Sequence, residues 1–559
     1  MFPWFTHRLT HYALLIAVGA LLFLPNLGGP SLWDIDEGHN TEASREMMAS
    51  GNWIVPTFNF LLRVDKPALL YWLQIGSFKL FGINEFAGRF PSACAALLSM
   101  LLTYELGRRM FGATAGLLAG LMLGSSVLFC AAAHFANPDA LLCLCMLLSF
   151  FWFWNSFVRG DRHWFVLCGI SSGLGMLAKG PIGLLLPSAV AVLFLLWVRQ
   201  WRRLLDWRLL TGMLAFGIVT VPWYAWVGAE TRGSYLIEFF LKHNVNRYTN
   251  SMEGHAGNPA YYLLVLVVGL APWSVFLGLA FWYSVKFPRV STSPCSRGGL
   301  VDTTRPVTER HSITFLWCWI IVYFAFFSLS KTKLPNYILP IYPAIALLTG
   351  RFLEQWRRGD VRPPAWMLHA APVCLALIGL GLILALPMIG VESSGFGRGR
   401  VFPGVGKWAF LGIVPLIGAI VSWRYLRREQ RTGVISGFVG SAALFLALLA
   451  SGGASALESY KAPRELVHEI PIDLTSNEVR IGAYQYFQPS LVFYCRREVY
   501  KLSNDNAMLE FLNCPLPSFL FLPADSWEQM KSLAPTSCHV LGRRHDLYRN
   551  LDVVVVANR

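Results

Sequence analysis

The residues of this chain that could do chemistry gather in a few short stretches of an otherwise apolar sequence. The densest is 31–67, SLWDIDEGHNTEASREMMASGNWIVPTFNFLLRVDKP. It opens with Asp34, Asp36 and Glu37, continues through Glu42, Arg45 and Glu46, and closes with Arg63, Asp65 and Lys66 before a proline. Plain connections between packed helices run about two to eight residues. A polar loop several times longer, charged at both ends, reads as a site rather than a tether. A second set stands at the edges of apolar runs: His134, Asn137 and Asp139 in AAAHFANPDALL, Lys179 in LAKGPIGLLLP, and Lys331 and Lys333 in SLSKTKLPNYILPIYP. An ionisable group at a membrane edge is costly unless it faces a cavity or a cation, so Asp139 is a functional candidate. The plainer reading makes it a wetted helix cap after Pro138. The Lys179-Gly-Pro break is tolerated at such depth where irregular backbone lines a cavity, whereas Lys331 reads as a snorkelling lysine. In FFLKHNVNRYTNSMEGHAGNP, His243 and Arg247 share a helical face, with His255 in a Gly-rich turn beyond. Two histidines and an arginine suit metal or phosphate binding.

Taken together, Asp36, Glu37, Asp65 and Asp139 meet Lys66, Lys179, Arg247 and Lys333 on one side of the chain. Carboxylates suit a divalent cation, the hydroxyls of a sugar or general-base work. Cations at a membrane surface suit a lipid-linked phosphate, bidentate for Arg and as a point charge for Lys. Such a mixed-sign pocket is compatible with group transfer from a lipid phosphate.

Membrane helices must position these groups. The 559 residues are 55% hydrophobic and only 14% charged, and runs long enough to span a bilayer recur through the first 450 or so. We read thirteen spans, at about 11–28, 86–106, 112–132, 137–157, 163–180, 181–198, 209–229, 260–284, 313–329, 336–350, 368–389, 406–423 and 434–452. The first resembles a signal peptide but lacks a small-residue cleavage site, and reads as an uncleaved helix. The net charge of +15 does not indicate nucleic acid. Its basic clusters (Arg108–Arg109, Arg199–Arg208, Arg351–Arg362, Arg424–Arg431 among them) follow every second span, which is the positive-inside pattern. This puts the loops 29–85, 230–259 and 390–405 outside, along with the tail 453–559. Residues 286–311, rich in Ser, Thr, Gly and Pro, read as a flexible cytoplasmic connector.

The tail changes character. VRIGAYQYF, LVFYCRR, SFLFLPA and HVLGRR read as strands, and SNDNAMLEFL and DSWEQMKSL as helices, the second capped by Asp525. This suggests a small α/β domain after the membrane domain 1–452. Most of the eleven cysteines lie in or beside apolar spans, where Cys behaves as a small hydrophobe. Cys495, Cys514 and Cys538 of the tail leave one disulfide open, with no preferred pair.

In this setting LWDIDEGHNTEASREMMASGNWIVPTFNF, DKPALLYWL, RFPSA, NPDALL, AKGP, FFLKHNVNRYT, APWS and KTKLPNYILPIYPA resemble, in that order over about 25–350, the GT-C glycosyltransferases that use lipid-linked sugars. The resemblance is strongest to the bacterial lipid A aminoarabinose transferase family, relatives of the protein O-mannosyltransferases. It implies a polytopic helical protein of the bacterial inner membrane, with a large outer catalytic loop and a periplasmic α/β domain. It implies a polyprenyl (undecaprenyl) phosphate sugar donor and a lipid A-like or protein acceptor within the lipid bilayer. Asp36, with its neighbour Glu37, and Asp139 match the catalytic carboxylates. Lys66, Lys179, Arg247, Lys333 and Tyr337 match positions near the donor phosphate, and Asp65 and His255 are the metal candidates for a divalent cation. Asp65-Lys66-Pro stands where the family has Glu-Lys-Pro, and Gly38–His39 replaces its Arg-Tyr. No P-loop is present, and no nucleotide cofactor or nucleic-acid partner is expected. A flippase for a lipid-linked substrate is the rival, but alternating access places its site near the midplane between repeats, whereas these polar groups crowd one face.

Overall fold

The computed structural model describes residues 8–159, 163–249, 257–286, 309–389, 402, 404–474 and 478–559. The apolar runs fold as helices. Among the described residues seven are long and apolar enough to cross a membrane, or up to nine if each of two bent pairs counts as one span. Two shorter apolar helices, α1 (Arg8–Phe23) and Ile182–Trp197, join them. The expected spans 163–180 and 336–350 fall on His163–Lys179 and Tyr342–Arg358. One bent pair, Tyr261–Gly269 and Trp273–Lys286, turns through 114° beside Pro272, which has no N–H to continue a helical ladder.

Between α1 and the next long helix the polar loop packs as a structure of its own. It contains α2 (Asp36–Ser50), a hairpin of β1 (Thr57–Phe58) and β2 (Leu61–Leu62), and α3 (Leu69–Phe81). α4 (Glu85–Phe111) follows, its first turn capped by the Asn84 side chain accepting from the Ala87 N–H. α2 is mostly polar, yet most of it is buried. Burial of polar groups is tolerated when each finds a partner, and these do. Asn40 donates to the Ala136 carbonyl at 3.0 Å, Ser44 to Gln74 at 2.6 Å, and Arg45 holds Glu42 with bonds of 2.7 and 2.6 Å. Glu46 accepts from Thr57 Oγ1 at 2.6 Å and from the Phe60 N–H, tying the hairpin to the helix.

The chain ends in a five-stranded sheet of order β4–β3–β5–β7–β6. β3 (Arg480–Tyr484) runs parallel to β4 (Val499–Leu502) and β5 (Ser518–Pro523), and β7 (Leu551–Ala557) is antiparallel to β5 and to β6 (His539–Asp546). Side chains alternate between two cores: Ile481, Phe519, Phe521, Val553 and Val555 on one face, Leu520, Leu522, Val554 and Val556 on the other. Two expectations are corrected. LVFYCRR is no strand: Pro489 at the first helical position starts a helix, Pro489–Cys495. Asp525 lies inside the first turn of Ala524–Met530, which begins after Pro523 with no side-chain cap. Cys495, Cys514 and Cys538 are all free thiols.

Candidate active site

A cavity of about 100 Å³ opens where the polar loop meets the ends of the long helices. It gathers seven sequence candidates, Asp65, Lys66, Asp139, Lys179, His243, Arg247 and Tyr337, and adds Asn336. Asp139 is the first residue of the helix Asp139–Arg159, and Lys179 is the last of His163–Lys179. Lys179 is paired with Asp139 Oδ1, while Asn336 donates to Oδ2 at 2.6 Å. The Tyr337 ring lies 4.8 Å from the Lys179 ammonium, close enough for a cation–π contact. Asp139 is thus 4% exposed and doubly held rather than a wetted cap.

Asp65 is held from both sides, by Arg63 at 2.9 Å and His243 at 3.2 Å. Burial pushes its carboxyl up, but Arg63, His243 and Lys66 more than reverse this and hold it below the usual carboxylate range. The Lys66 ammonium makes no hydrogen bond or ion pair among the described residues. Burial, then the nearby charges of Lys179 and Arg247, lower its proton affinity against the pull of Asp36 and Asp65. Lys66, Lys179 and Arg247 therefore converge on one spot, an arrangement that favours an anion.

Asp36, at the start of α2, is exposed, and its carboxylate is without a hydrogen bond or ion pair among the described residues. Asp36 does not line the cavity, but its charge acts on Lys66 and Arg63, so it lies within electrostatic reach of them. His39, one turn on, packs its ring 4.3 Å from Phe58. Burial and then Arg63 push its pKa down to about 4, so it stays neutral.

Two assignments change. Glu37, expected beside Asp36 in catalysis, points the other way and is fully buried. Arg89 Nε and Nη2 donate to its two oxygens at 2.9 and 2.7 Å, and the N–H groups of Ala136 and Trp33 at 2.6 and 2.7 Å complete its shell. No lone pair is left for a substrate. Lys333, expected near the donor phosphate, instead donates to the carbonyls of Ser328 and Ser330 at 2.7 and 2.8 Å. It closes the end of the helix Glu309–Leu329, as a cation at a helix C-terminus does. His255 lies outside the described residues. Asp65, the other metal candidate, already has both oxygens engaged, and no group of three or more His, Cys, Asp or Glu among the described residues could hold a metal ion. The described donors do not fit a divalent cation. Arg89 and Asn336 were missed as site residues. Both sit in stretches that carried the resemblance, RFPSA and KLPNY, and that position was their only signal.

Residues 65–226 match the family model described as dolichyl-phosphate-mannose-protein mannosyltransferase. An undecaprenyl phosphate-alpha-4-amino-4-deoxy-L-arabinose arabinosyl transferase of Pseudomonas paraeruginosa is 30% identical over 483 residues, covering 84% of this chain and 80% of that one. The chain belongs to this arabinosyl transferase family. A family member from Edwardsiella ictaluri is 29% identical over 438 residues, 76% of this chain and 73% of its own. The crystal structure of ArnT from Cupriavidus metallidurans bound to undecaprenyl phosphate superposes with a TM-score of 0.81 at 23% identity, covering 99% of each chain. The fold is therefore that of the GT-C transferases, and the chain is a multi-pass membrane glycosyltransferase.

Proposed function

We propose that this transferase moves a sugar, 4-amino-4-deoxy-L-arabinose, from undecaprenyl phosphate to lipid A or a related acceptor at the periplasmic face of the bacterial inner membrane. The observation that carries this reading is the convergence of Lys66, Lys179 and Arg247 on one cavity, with the exposed carboxylate of Asp36 within electrostatic reach of Lys66. The names of the family members supply the donor and the sugar. The basic clusters that follow every second span favour an outward-facing site.

In the proposed reaction the bond between the anomeric carbon and the donor phosphate oxygen breaks as an acceptor oxygen attacks from the opposite side, with inversion. The phosphate leaves with the electron pair, and the preorganised cations stabilise the charge that develops on it. Lys179 is held in place by Asp139, which Asn336 fixes in turn, so it need not reorganise as the bond breaks. If the acceptor is a hydroxyl, Asp36 takes its proton. If it is a lipid A phosphate there is no proton to remove, and Asp36 orients the incoming group.

Purified protein with radiolabelled donor and lipid A tests this. Wild type transfers label, while Asp36→Asn binds donor but loses transfer by at least about 100-fold, the range for a positioned acid–base group. A wild type that transfers to no acceptor, yet moves donor across a vesicle bilayer, would replace the reading with a flippase.

A further inference from the structure

Residues 31–34, which deliver the chain to Asp36, belong to no helix or strand. An irregular segment needs partners for its backbone groups from elsewhere, and here the end of the chain supplies most of them. The Ser31 N–H donates to the Glu458 carboxylate at 3.1 and 3.0 Å, Leu32 to the Tyr494 hydroxyl at 2.8 Å, and Asp34 to the Tyr548 hydroxyl at 2.9 Å. The fourth, Trp33, donates to Glu37 at 2.7 Å. Lys461 donates to the Ser31 carbonyl at 2.9 Å and sets its ammonium 3.6 Å from the Trp33 ring. The Asp34 carboxylate accepts from the Ser490 N–H at 2.7 Å and from its hydroxyl at 2.6 Å.

The contact continues past Asp36. A Cβ on Gly38 would come within 2.5 Å of the Ser490 nitrogen and 2.8 Å of the Pro489 carbonyl carbon. α2 and the helix Pro489–Cys495 therefore touch backbone to backbone, at a place where only glycine fits. Farther on, Asn59 and Val499 exchange a reciprocal pair of bonds at 3.0 and 2.8 Å, fixing the hairpin. Asp36 lies between these attachments. Its own carboxylate is left untouched while the backbone on both sides is fixed.

We infer that the C-terminal domain is the scaffold that sets the Asp36 carboxylate against the cavity, with Ser490, Tyr494 and Tyr548 as positioning residues for sugar transfer. The inference rests on the reading of Asp36 proposed above. It separates two tasks in the chain. Lys179 and Arg247 are carried by the membrane helices and the loop after them, and the Lys66 carbonyl accepts from the Tyr235 hydroxyl at 2.8 Å, so donor binding does not depend on the bonds between 31–34 and the C-terminal domain. The alignment of Asp36 does, and a misplacement of about 1 Å is enough to cost about 100-fold in rate.

The test measures transfer, donor binding and hydrogen exchange of residues 31–37 in the full-length protein, for Ser490→Ala, Ser490→Thr, Tyr548→Phe and Asp36→Asn. Ser526→Ala is the control, a serine of the same domain whose hydroxyl donates only to Gln485. The expected result is kcat lower by roughly ten- to hundredfold in Ser490→Ala and Tyr548→Phe, with faster exchange at 31–37. Donor affinity stays unchanged, Ser490→Thr recovers most of the rate, and Ser526→Ala matches wild type. If Asp36→Asn is inactive but Ser490→Ala and Tyr548→Phe both keep the wild-type kcat, the scaffold role is overturned and the reading of Asp36 stands. If Asp36→Asn transfers normally, both fall. Parallel losses of kcat and donor affinity in Ser490→Ala, unrelieved by Ser490→Thr, would show a loop that simply unfolds, and would also overturn the proposal.

Discussion

Arg89→Met should be among the most damaging single substitutions in α4, although Arg89 lies outside the cavity. Arg89 is 2% exposed and Glu37 fully buried. Removing the guanidinium strands a buried carboxylate, which costs about 3–5 kcal/mol. It also strands the carbonyls of Leu27 and Pro30, to which Arg89 Nη1 donates at 2.9 and 2.7 Å. A simple buried ion pair can often be replaced by two apolar residues at no net cost. This one should resist that exchange. In Glu37→Leu/Arg89→Met the N–H groups of Trp33 and Ala136 join the two carbonyls without partners, at about 1–3 kcal/mol each. The double variant should therefore be no more stable than Arg89→Met alone. Unfolding entropy of about 2.1 cal/mol/K per residue over 559 residues turns about 4 kcal/mol into a fall of about 3 °C in Tm for a concerted transition. The fall is larger if the loop opens alone. Thermal unfolding in detergent, followed by tryptophan fluorescence, measures it. A double variant with wild-type Tm would refute the argument, because it would mean that Glu37 and Arg89 serve only each other.

Other consequences follow from the same contacts. Gly38→Ala should loosen the C-terminal domain and lower kcat without changing donor affinity, since its methyl would press on the Ser490 backbone; limited proteolysis and transfer kinetics read both effects. Asp139→Asn removes the negative partner of Lys179, so binding of undecaprenyl phosphate should tighten while transfer falls, which a binding titration beside the transfer assay will show. Asp34 is pushed up to about 7 by burial, with Asp546 adding to the rise and Ser490 and Lys461 opposing it. Because the folded-state value lies above the unfolded one, the stability this carboxyl contributes is full below about pH 4 and lost as pH rises through about 7. The protection factors at 31–37, with the intrinsic rise of amide exchange with pH divided out, should then fall from pH 6 to pH 8 in wild type and stay flat in Asp34→Asn. Lys66, its proton affinity lowered first by burial, should release its proton at a lower pH than a free lysine. Donor affinity should decline with rising pH earlier than in Lys66→Arg, as titrations between pH 7 and 10 would record.

How far the sequence reaches depends on whether a residue's partner is local. Hydrophobic run length is a local property, so the helical membrane architecture and the polar loop were legible. So was the compositional shift into the tail. The cavity groups were legible too, because a charge at a span edge is conspicuous in one dimension. The roles of Glu37 and Lys333 were misjudged for the opposite reason. Nothing local distinguishes Glu37 from Asp36 next to it, and the guanidinium that claims it is 52 residues away. Lys333 looks like a site cation until the end of the helix before it is seen to need a donor. The strand Leu551–Ala557 went unread, and the helix Pro489–Cys495 was misread as a strand because short runs of β-branched and aromatic residues suit a buried strand or one turn of helix equally. In the second case Pro489 at the first position decided for helix.

The departures from the family pattern carry the same lesson into function. The resemblance implies Arg-Tyr where this chain has Gly38–His39. In the folded chain each residue has a reason to be small or neutral. Gly38 lets the helix Pro489–Cys495 come within backbone contact. His39, uncharged, sits against Phe58 near Arg63 without adding a second cation there. Asp65 in place of Glu is likewise served at its shorter reach by Arg63 and His243 together. A residue that shortens one arm is accompanied by another that approaches from the opposite side. These positions therefore belong to one mechanical unit, the polar loop clamped between the membrane helices and the C-terminal domain. Gly38→Arg should be more harmful than Gly38→Ala, because the longer side chain starts from the same clash with the Pro489–Cys495 backbone, which no rotamer change relieves.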